Sequence, residues 1–425
     1  MSNYPDKDDP FMPDFSISEF LRPGDLVAIG EATAEPRTLV AHFLDAARDI
    51  DDVTALCGYT LDDIWHSVPD GHPTVMSYAA HGSLRKLAAT GQLQILPCHL
   101  SSVVRFIRNG TLPVDVVLIQ LPPADADGFH SPGGTVGYLV DALDSARVVL
   151  AEINPNMPRT NSSRRIHQSQ ITATVTSDNP LPGSPTRPAT DVDRTIAANV
   201  ATLIPDGASL QLGVGAIPAE ITKVIRTRSG LRVRSNLIGD WIFDLVDSGA
   251  VDISVAGSCT TGMALGSRRL YDFVDGNTGI DFVHLDELLA PATLATCDPF
   301  IVVNSALQVD LLGQVNAESL GGLYVGAVGG QVDSFRATRM AKSGLSVIAL
   351  PATNPAGDKS SIVAQLNGPT TSLQSDVDII ATEYGVADLR ATTAAQRAER
   401  LIAVAAPAHR DKLRTELTGG HRTER

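Results

Sequence analysis

Residues 204–225 read IPDGASLQLGVGAIPAEITKVI. A turn at Pro205-Asp206-Gly207 leads into the apolar run Ser209 to Leu212, two glycines interrupt it at 213 and 215, and Pro218 opens an apolar-periodic segment. A short apolar run bounded by glycine and proline and followed by a helix is the building block of a parallel, doubly covered sheet. The same plan stands near the start, where residues 21–44 read LRPGDLVAIGEATAEPRTLVAHFL. Two copies predict two related α/β domains.

The rest of the chain extends the pattern. Apolar runs recur at Val114 to Leu121, Val148 to Ile153, Val251 to Val255, Ile301 to Val303 and Ser346 to Leu350. Alanine-rich, charge-dotted stretches between them, such as EPRTLVAHFLDAARD at 35–49 and AAQRAERLIAVAAPAHRDKLRTEL at 394–417, fit covering helices. The linker candidate is DNPLPGSPTRPATD, 178–191, where four prolines and a glycine stop both periodicities. A fresh helix capped by Thr190 or Asp191 follows it. The expected domains are therefore 1–183 and 190–425.

At 425 residues, 43% hydrophobic and 19% charged, the chain is long enough for two buried cores. A net charge of -15 opposes attraction to phosphate backbones, so nucleic acid is not an expected partner. Cys57, Cys98, Cys259 and Cys297 show no close ligand spacing and read as reduced thiols. The ten histidines show no HExxH or H-x-H pattern, and no metal site is expected. The first twenty residues lack the basic start and apolar run of a signal peptide. No stretch reaches the roughly twenty apolar residues of a membrane span. The expected setting is cytoplasmic, and a homo-oligomer is compatible with the sequence.

Four segments could carry chemistry. Gly213, Gly215 and Ala216 follow a strand and open a helix, where backbone N–H groups can meet an anion or a developing oxyanion, although a plain strand-to-helix turn needs the same glycines. This is no dinucleotide fingerprint, because Ala-Ile-Pro follows the second glycine. YVGAVGGQVDSF, 324–335, offers Val328, Gly329, Gly330 and Gln331 to a carbonyl or phosphate. Asn304, Asp310, Gln314 and Asn316 form a polar span that suits either a carbonyl oxygen or loop capping. Glu383 follows the apolar run VDII, and the C-terminal ends of parallel strands are where ligands bind.

Taken together, LPVDVVLIQLPPADADGFHSPGGTVGY (112–138), AEINPNMPRT, LQLGVGAIP, VDLLGQVNAE, GGQVD, TEYGVADLR and RAERLI resemble, in order and spacing, the acetyl-CoA hydrolase/transferase family, which includes the 4-hydroxybutyrate and acetate CoA-transferases. The resemblance implies two α/β domains with mainly parallel sheets and an active site between them, acting on coenzyme A thioesters. It implies a glutamate nucleophile in a stretch of the type His-Thr-Glu-Met-Phe-Ser-Asp-Gly. Here RVRSNLIGDWIFDLVDSG, 232–249, places Asn236 at that position. The resemblance also implies that Asn304 and Val328-Gly329-Gly330 hold the thioester oxygen and that Glu383 is an active-site acid. Three departures accompany Asn236: Ser361 replaces an arginine in Ser-Arg-Ile-Val-Pro, Gly239-Asp240-Trp241 replaces Ser-Asp-Gly, and Gly326-Ala327 replaces Ser-Gly.

A carboxamide is a poor nucleophile, so transfer through a glutamyl thioester at position 236 is not expected. The leading expectation is direct acyl transfer from an acyl-CoA to a small acceptor, amine, alcohol or water, in specialised biosynthesis. Asn236, Asn304 and the glycine loops would orient the thioester, with Glu383 or Asp240 as base. Two alternatives stand beside it. One is a CoA-transferase or hydrolase that uses another carboxylate such as Asp240, four residues on and on the same face if the segment is helical. The other is a non-catalytic acyl-CoA-binding protein. Asn236 also suits a strand-to-helix turn that tolerates left-handed backbone.

Overall fold

A computed structural model describes residues 16–69, 71–184, 187–294 and 296–420. The acidic N-terminal segment up to residue 15 and two residues of the linker candidate lie outside the described residues. The chain forms two compact units. One takes the chain up to Ser184 together with Thr260–Leu288, and the other takes the remainder to Cys259 and from Leu289 onward. The excursion 260–288, expected in the second domain, thus folds with the first.

The first unit is built on seven parallel strands: β1 (Leu26–Ile29), β2 (Thr54–Cys57), β3 (Thr74–Ser77), β4 (Leu93–Ile95), β5 (Val116–Leu121), β6 (Val148–Ile153) and β7 (Ala173–Thr176). They lie in the order β7-β6-β5-β1-β2-β3-β4. Every residue of β1 and β5 is buried, as continuous apolar strands covered on both faces require. Helix α1 (Arg37–Ala46) seals one face with Leu39, Val40 and Phe43. The excursion is held by specific bonds: Val136 N–H donates to Gly262 O at 2.9 Å, Ala264 N–H to Gly134 O at 2.8 Å, and His284 Nε2 lies 2.7 Å from Asp141. These partners sit more than a hundred residues away, which is why composition did not assign the segment.

In the second unit six strands run β13-β12-β11-β10-β8-β9, with β8 at Ser209–Leu212, β9 at Arg232–Ile238, β10 at Phe300–Asn304, β11 at Leu345–Ala349, β12 at Ile379–Thr382 and β13 at Gly385–Asp388. Only the β12–β13 pair among them is antiparallel. Helix α2 (Asp191–Ala201) opens with a capping box between Thr190 and Asp193, the start expected from sequence. Helices α3 (Ala216–Ile225), α4 (Ile242–Asp247), α5 (Gln331–Thr338), α6 (Ala394–Val404) and α7 (Pro407–Gly420) complete the unit's cover. Phe300, Phe335, Ile348, Ile380, Leu401 and Ile402 form its core, and fully burying such a side chain contributes roughly 1.5–3 kcal/mol.

Several local expectations differ from the outcome. Val251 to Val255 is not a strand: Asp252 Oδ1 accepts from Ser254 N–H at 2.9 Å and from its hydroxyl at 2.7 Å, and this side-chain turn wins over the β-branched run. The strand comes later, at Cys259–Ala264. Helix α3 starts at Ala216 rather than Pro218, which occupies the third helical position where a missing N–H costs nothing. The C-terminal stretch is two helices, broken between Val404 and Pro407.

Candidate functional site

The register of the second unit brings most of the expected residues to one sheet edge. Ser209 pairs with Arg232 and Leu210 with Val233, so the same offset carried forward sets Gly213 level with Asn236. Ser235 Oγ donating to Leu212 O at 2.7 Å holds that offset at the strand end. On the other side of β8, Leu212 pairs with Val303, which sets Gly213 level with Asn304 as well. Residues level in parallel strands face the same way, so Asn236 and Asn304 share one face, two strand spacings or about 10 Å apart. Gly213 stands between them, and a Cβ there would meet nothing within 4 Å. Two carboxamides flank an open position.

Their hydrogen bonding sets these two residues apart from their neighbours. Asn304 Nδ2 is buried without a hydrogen-bond partner among the described residues. A buried unpaired donor is costly, which marks it as a group awaiting an acceptor. The rest of the polar span caps loops: Asp310 accepts from Leu312 N–H, Gln314 N–H and Gln314 Nε2, and Asn316 accepts from Glu318 and Ser319 N–H. Gln211 shares the face of Gly213 two residues earlier, and its Nε2 donates to Ser334 Oγ of α5 at 2.6 Å. Sequence reading passed over Gln211, although a polar residue alternating with Gly213 on a buried strand was the available signal.

The second glycine loop is pulled to the same place. Gln331 Nε2 donates to Ser305 O at 2.9 Å, next to Asn304, while Gln331 Oε1 accepts from Ser372 Oγ at 2.7 Å. Its side chain is therefore a tether, and what it can offer a ligand is its backbone. Gly329 has φ 54°, and Gly330 caps α5 without any side-chain acceptor, so no capping side chain at Gly330 covers the amides that open α5 beside Val328. Gly326 is required by close approach, since a Cβ would fall 1.9 Å from Ala317 O. Gly215 caps α3 at φ 126°, again without a side-chain acceptor.

Glu383 follows β12 at the same edge, where Ala349 pairs with Ala381. Its Oε2 accepts from Ala352 N–H at 2.9 Å, and Ala352 O in turn accepts from Ser361 N–H at 2.9 Å. The serine in the expected arginine's place thus lies one backbone link from Glu383. Asp240 is differently placed. Asn236 lies within β9, not in a helix or a turn, so neither the helical-face argument for Asp240 nor the left-handed turn reading of Asn236 holds. Asp240 is exposed in the turn between β9 and α4.

Comparison with known proteins agrees with this architecture. Residues 11–182 match the acetyl-CoA hydrolase/transferase N-terminal domain and 266–417 its C-terminal domain. The chain is 36% identical over 342 residues to the 4-hydroxybutyrate coenzyme A transferase of Clostridium kluyveri, covering 79% of this chain and 80% of that protein. It is similar to the crystal structure of RipA from Yersinia pestis at 28% identity and a TM-score of 0.88, with 96% of each chain covered. It is also similar to a 4-hydroxybutyrate CoA-transferase from Porphyromonas gingivalis at 28% identity and a TM-score of 0.79, with 95% of this chain and 96% of that one covered. With two α/β units, parallel sheets and both family domains matched in order, the chain belongs to the acetyl-CoA hydrolase/transferase family.

Proposed function

We propose that this protein transfers the acyl group of a CoA thioester directly to a small acceptor, an amine, alcohol or water, without an enzyme-bound glutamyl thioester. The unpartnered Asn304 Nδ2, level with a carboxamide at 236 rather than a carboxylate, is the observation that carries this reading. The thioester oxygen accepts from Asn304 and from the amides opening α5, so negative charge developing on it is met by donors already in place. Asn236 donates or accepts one hydrogen bond and orients the acceptor across Gly213. Glu383 takes the proton as the acceptor's nucleophile adds to the carbonyl carbon. The carbon–sulfur bond then breaks, and the same proton passes to the departing thiolate. The products are the acylated acceptor and free CoA. A role in specialised biosynthesis follows from the departures at 236, 241 and 361.

A second reading has support in relatives whose names describe CoA transfer from an acyl-CoA to an acid: here a displaced carboxylate such as Asp240 would carry CoA covalently. Intact-protein mass spectrometry with a panel of acyl-CoAs, read alongside CoA release, separates the two. Direct transfer gives CoA release and an unmodified protein mass. A covalent adduct mapped to Asp240 overturns it in favour of the second reading, and an absence of CoA release with any acceptor removes both.

A further inference from the structure

Gln211 is tied to the opening of α5 from the strand side. It stands on β8 two residues before Gly213, on the same face, and is 7% exposed. Its Nε2 donates to Ser334 Oγ at 2.6 Å. Ser334 Oγ in turn donates to Gly330 O at 2.8 Å, and Ser334 N–H donates to the same oxygen at 3.0 Å. A serine hydroxyl has one proton, so with that proton on Gly330 O it can only accept from Gln211. The carboxamide therefore turns its nitrogen to Ser334 and its oxygen away, and Gln211 Oε1 is buried without a partner among the described residues. An unfilled buried acceptor is costly, and a methionine of similar shape would fill the same space without it. What the glutamine adds over such a side chain is the bond to Ser334.

This chain of bonds ends on a peptide unit of the candidate site. Gly330 O and Gln331 N–H belong to one planar trans peptide and point in opposite directions, so a carbonyl fixed by Ser334 fixes the line of that N–H. Gln331 is the first residue of α5, where an N–H has no acceptor within its own helix. The far side of the same peptide is held by the Gln331 side chain, through Ser305 O at 2.9 Å and Ser372 Oγ at 2.7 Å. Gly329 and Gly330 have no side chains with which to hold that orientation themselves. We propose that Gln211 is a positioning residue: acting through Ser334, it aims Gln331 N–H at the thioester oxygen that Asn304 also meets. This deepens the proposed function and rests on its seating of that oxygen at the amides opening α5. It holds whether the acyl group or CoA is what moves, since both routes develop charge on the same oxygen.

Gln211→Met keeps the bulk and removes both polar atoms, so the unfolding midpoint should hold or rise. With the acyl-CoA that the parent consumes fastest, kcat for CoA release should fall about tenfold at unchanged KM, less than the loss of about a hundredfold or more that follows deletion of an oxyanion donor itself. Ser334→Ala should do the same, and the double variant should lose no more than either single change, because both cut one chain of bonds. Hydrogen exchange of the ligand-free proteins reads the tether without turnover: the peptide covering 326–333 should exchange faster in Gln211→Met, while peptides of the first unit exchange as in the parent. A lowered midpoint with unchanged kcat makes Gln211 merely structural and overturns the proposal, as does a double variant whose losses multiply. Unchanged exchange at 326–333 overturns it at the tether, and faster exchange without a fall in kcat overturns it at the thioester. A parent that releases no CoA from any acyl-CoA rejects the proposed function instead, and the exchange measurement still decides whether Gln211 holds the loop.

Discussion

Asn304 and Asn236 look equivalent as letters, and the structure gives them different tasks. Asn304 is a buried donor without an acceptor, so Asn304→Ala should lower kcat/KM for acyl-CoA consumption about a hundredfold, the usual cost of losing one oxyanion donor, while the unfolding midpoint holds or rises. Steady-state kinetics beside thermal melts check this; a lowered melt with unchanged kinetics would make Asn304 merely structural. Asn236→Glu puts a carboxylate at the position where the motif resemblance expects a nucleophilic glutamate. On incubation with acyl-CoA it should acquire an adduct of CoA mass less one water and gain CoA transfer to free acids, both read by mass spectrometry. An unmodified variant that still releases CoA would place the nucleophile elsewhere. Asn236 could be picked out from the sequence by its place in a motif, whereas Asn304 differs from Asp310, Gln314 and Asn316 in its hydrogen bonding: those three bond within four residues of themselves, and Asn304 Nδ2 has no partner among the described residues.

At the scale of elements, two glycines that read alike are there for different reasons. A Cβ at Gly326 meets Ala317 O at 1.9 Å, so Gly326→Ala should cost about 1–3 kcal/mol of stability by forcing two closely packed backbone segments apart. A Cβ at Gly213 meets nothing, so Gly213→Ala should leave stability within about 0.5 kcal/mol yet narrow the space between the two carboxamides. Its signature is CoA release slowed about tenfold with an unchanged denaturation midpoint. Equal stability losses in the two variants would contradict this division. Periodicity located β1, β6, β8 and α1 because a buried strand and an amphipathic helix each announce their period. It failed at Val251 to Val255, where Asp252 closes a local turn that a count of apolar residues does not register.

For the whole molecule, the first unit buries Glu31 and Glu35, which no sequence pattern singled out. Glu31 accepts from Tyr78 OH at 2.5 Å and from Tyr59 N–H, and Glu35 accepts from Trp65 Nε1 at 2.5 Å and from Leu61 N–H. Burial pushes the Glu35 carboxyl up to about 7, against the partial relief given by Trp65. A carboxyl raised in the folded state keeps its proton there while the unfolded chain has lost it. Its contribution to stability is therefore full below the ordinary carboxyl range and is lost as pH rises from about 4.5 to about 7. Comparing urea melts of the parent and Glu35→Gln across that window should show the parent losing ground by on the order of 3 kcal/mol, then running parallel above pH 7. A constant difference from pH 4 to 8 would mean that Glu35 does not change charge there.

The sequence by itself determined that this is an α/β chain of short buried strands and covering helices, with family motifs in order and an asparagine where a nucleophile is expected. Those features are local: the period of apolar residues, glycine and proline punctuation, and the identity of a side chain at a strand's end. Only the tertiary structure decided that β8 lies between β9 and β10, which are separated from each other by some sixty residues of chain, and in what register. Register is set by long-range pairing and by bonds such as Ser235 to Leu212, so it alone could bring Asn236 and Asn304 level across Gly213. The same is true of Asn304 Nδ2, which has no partner among the described residues. A missing partner is a property of everything packed around an atom, and no stretch of sequence contains it.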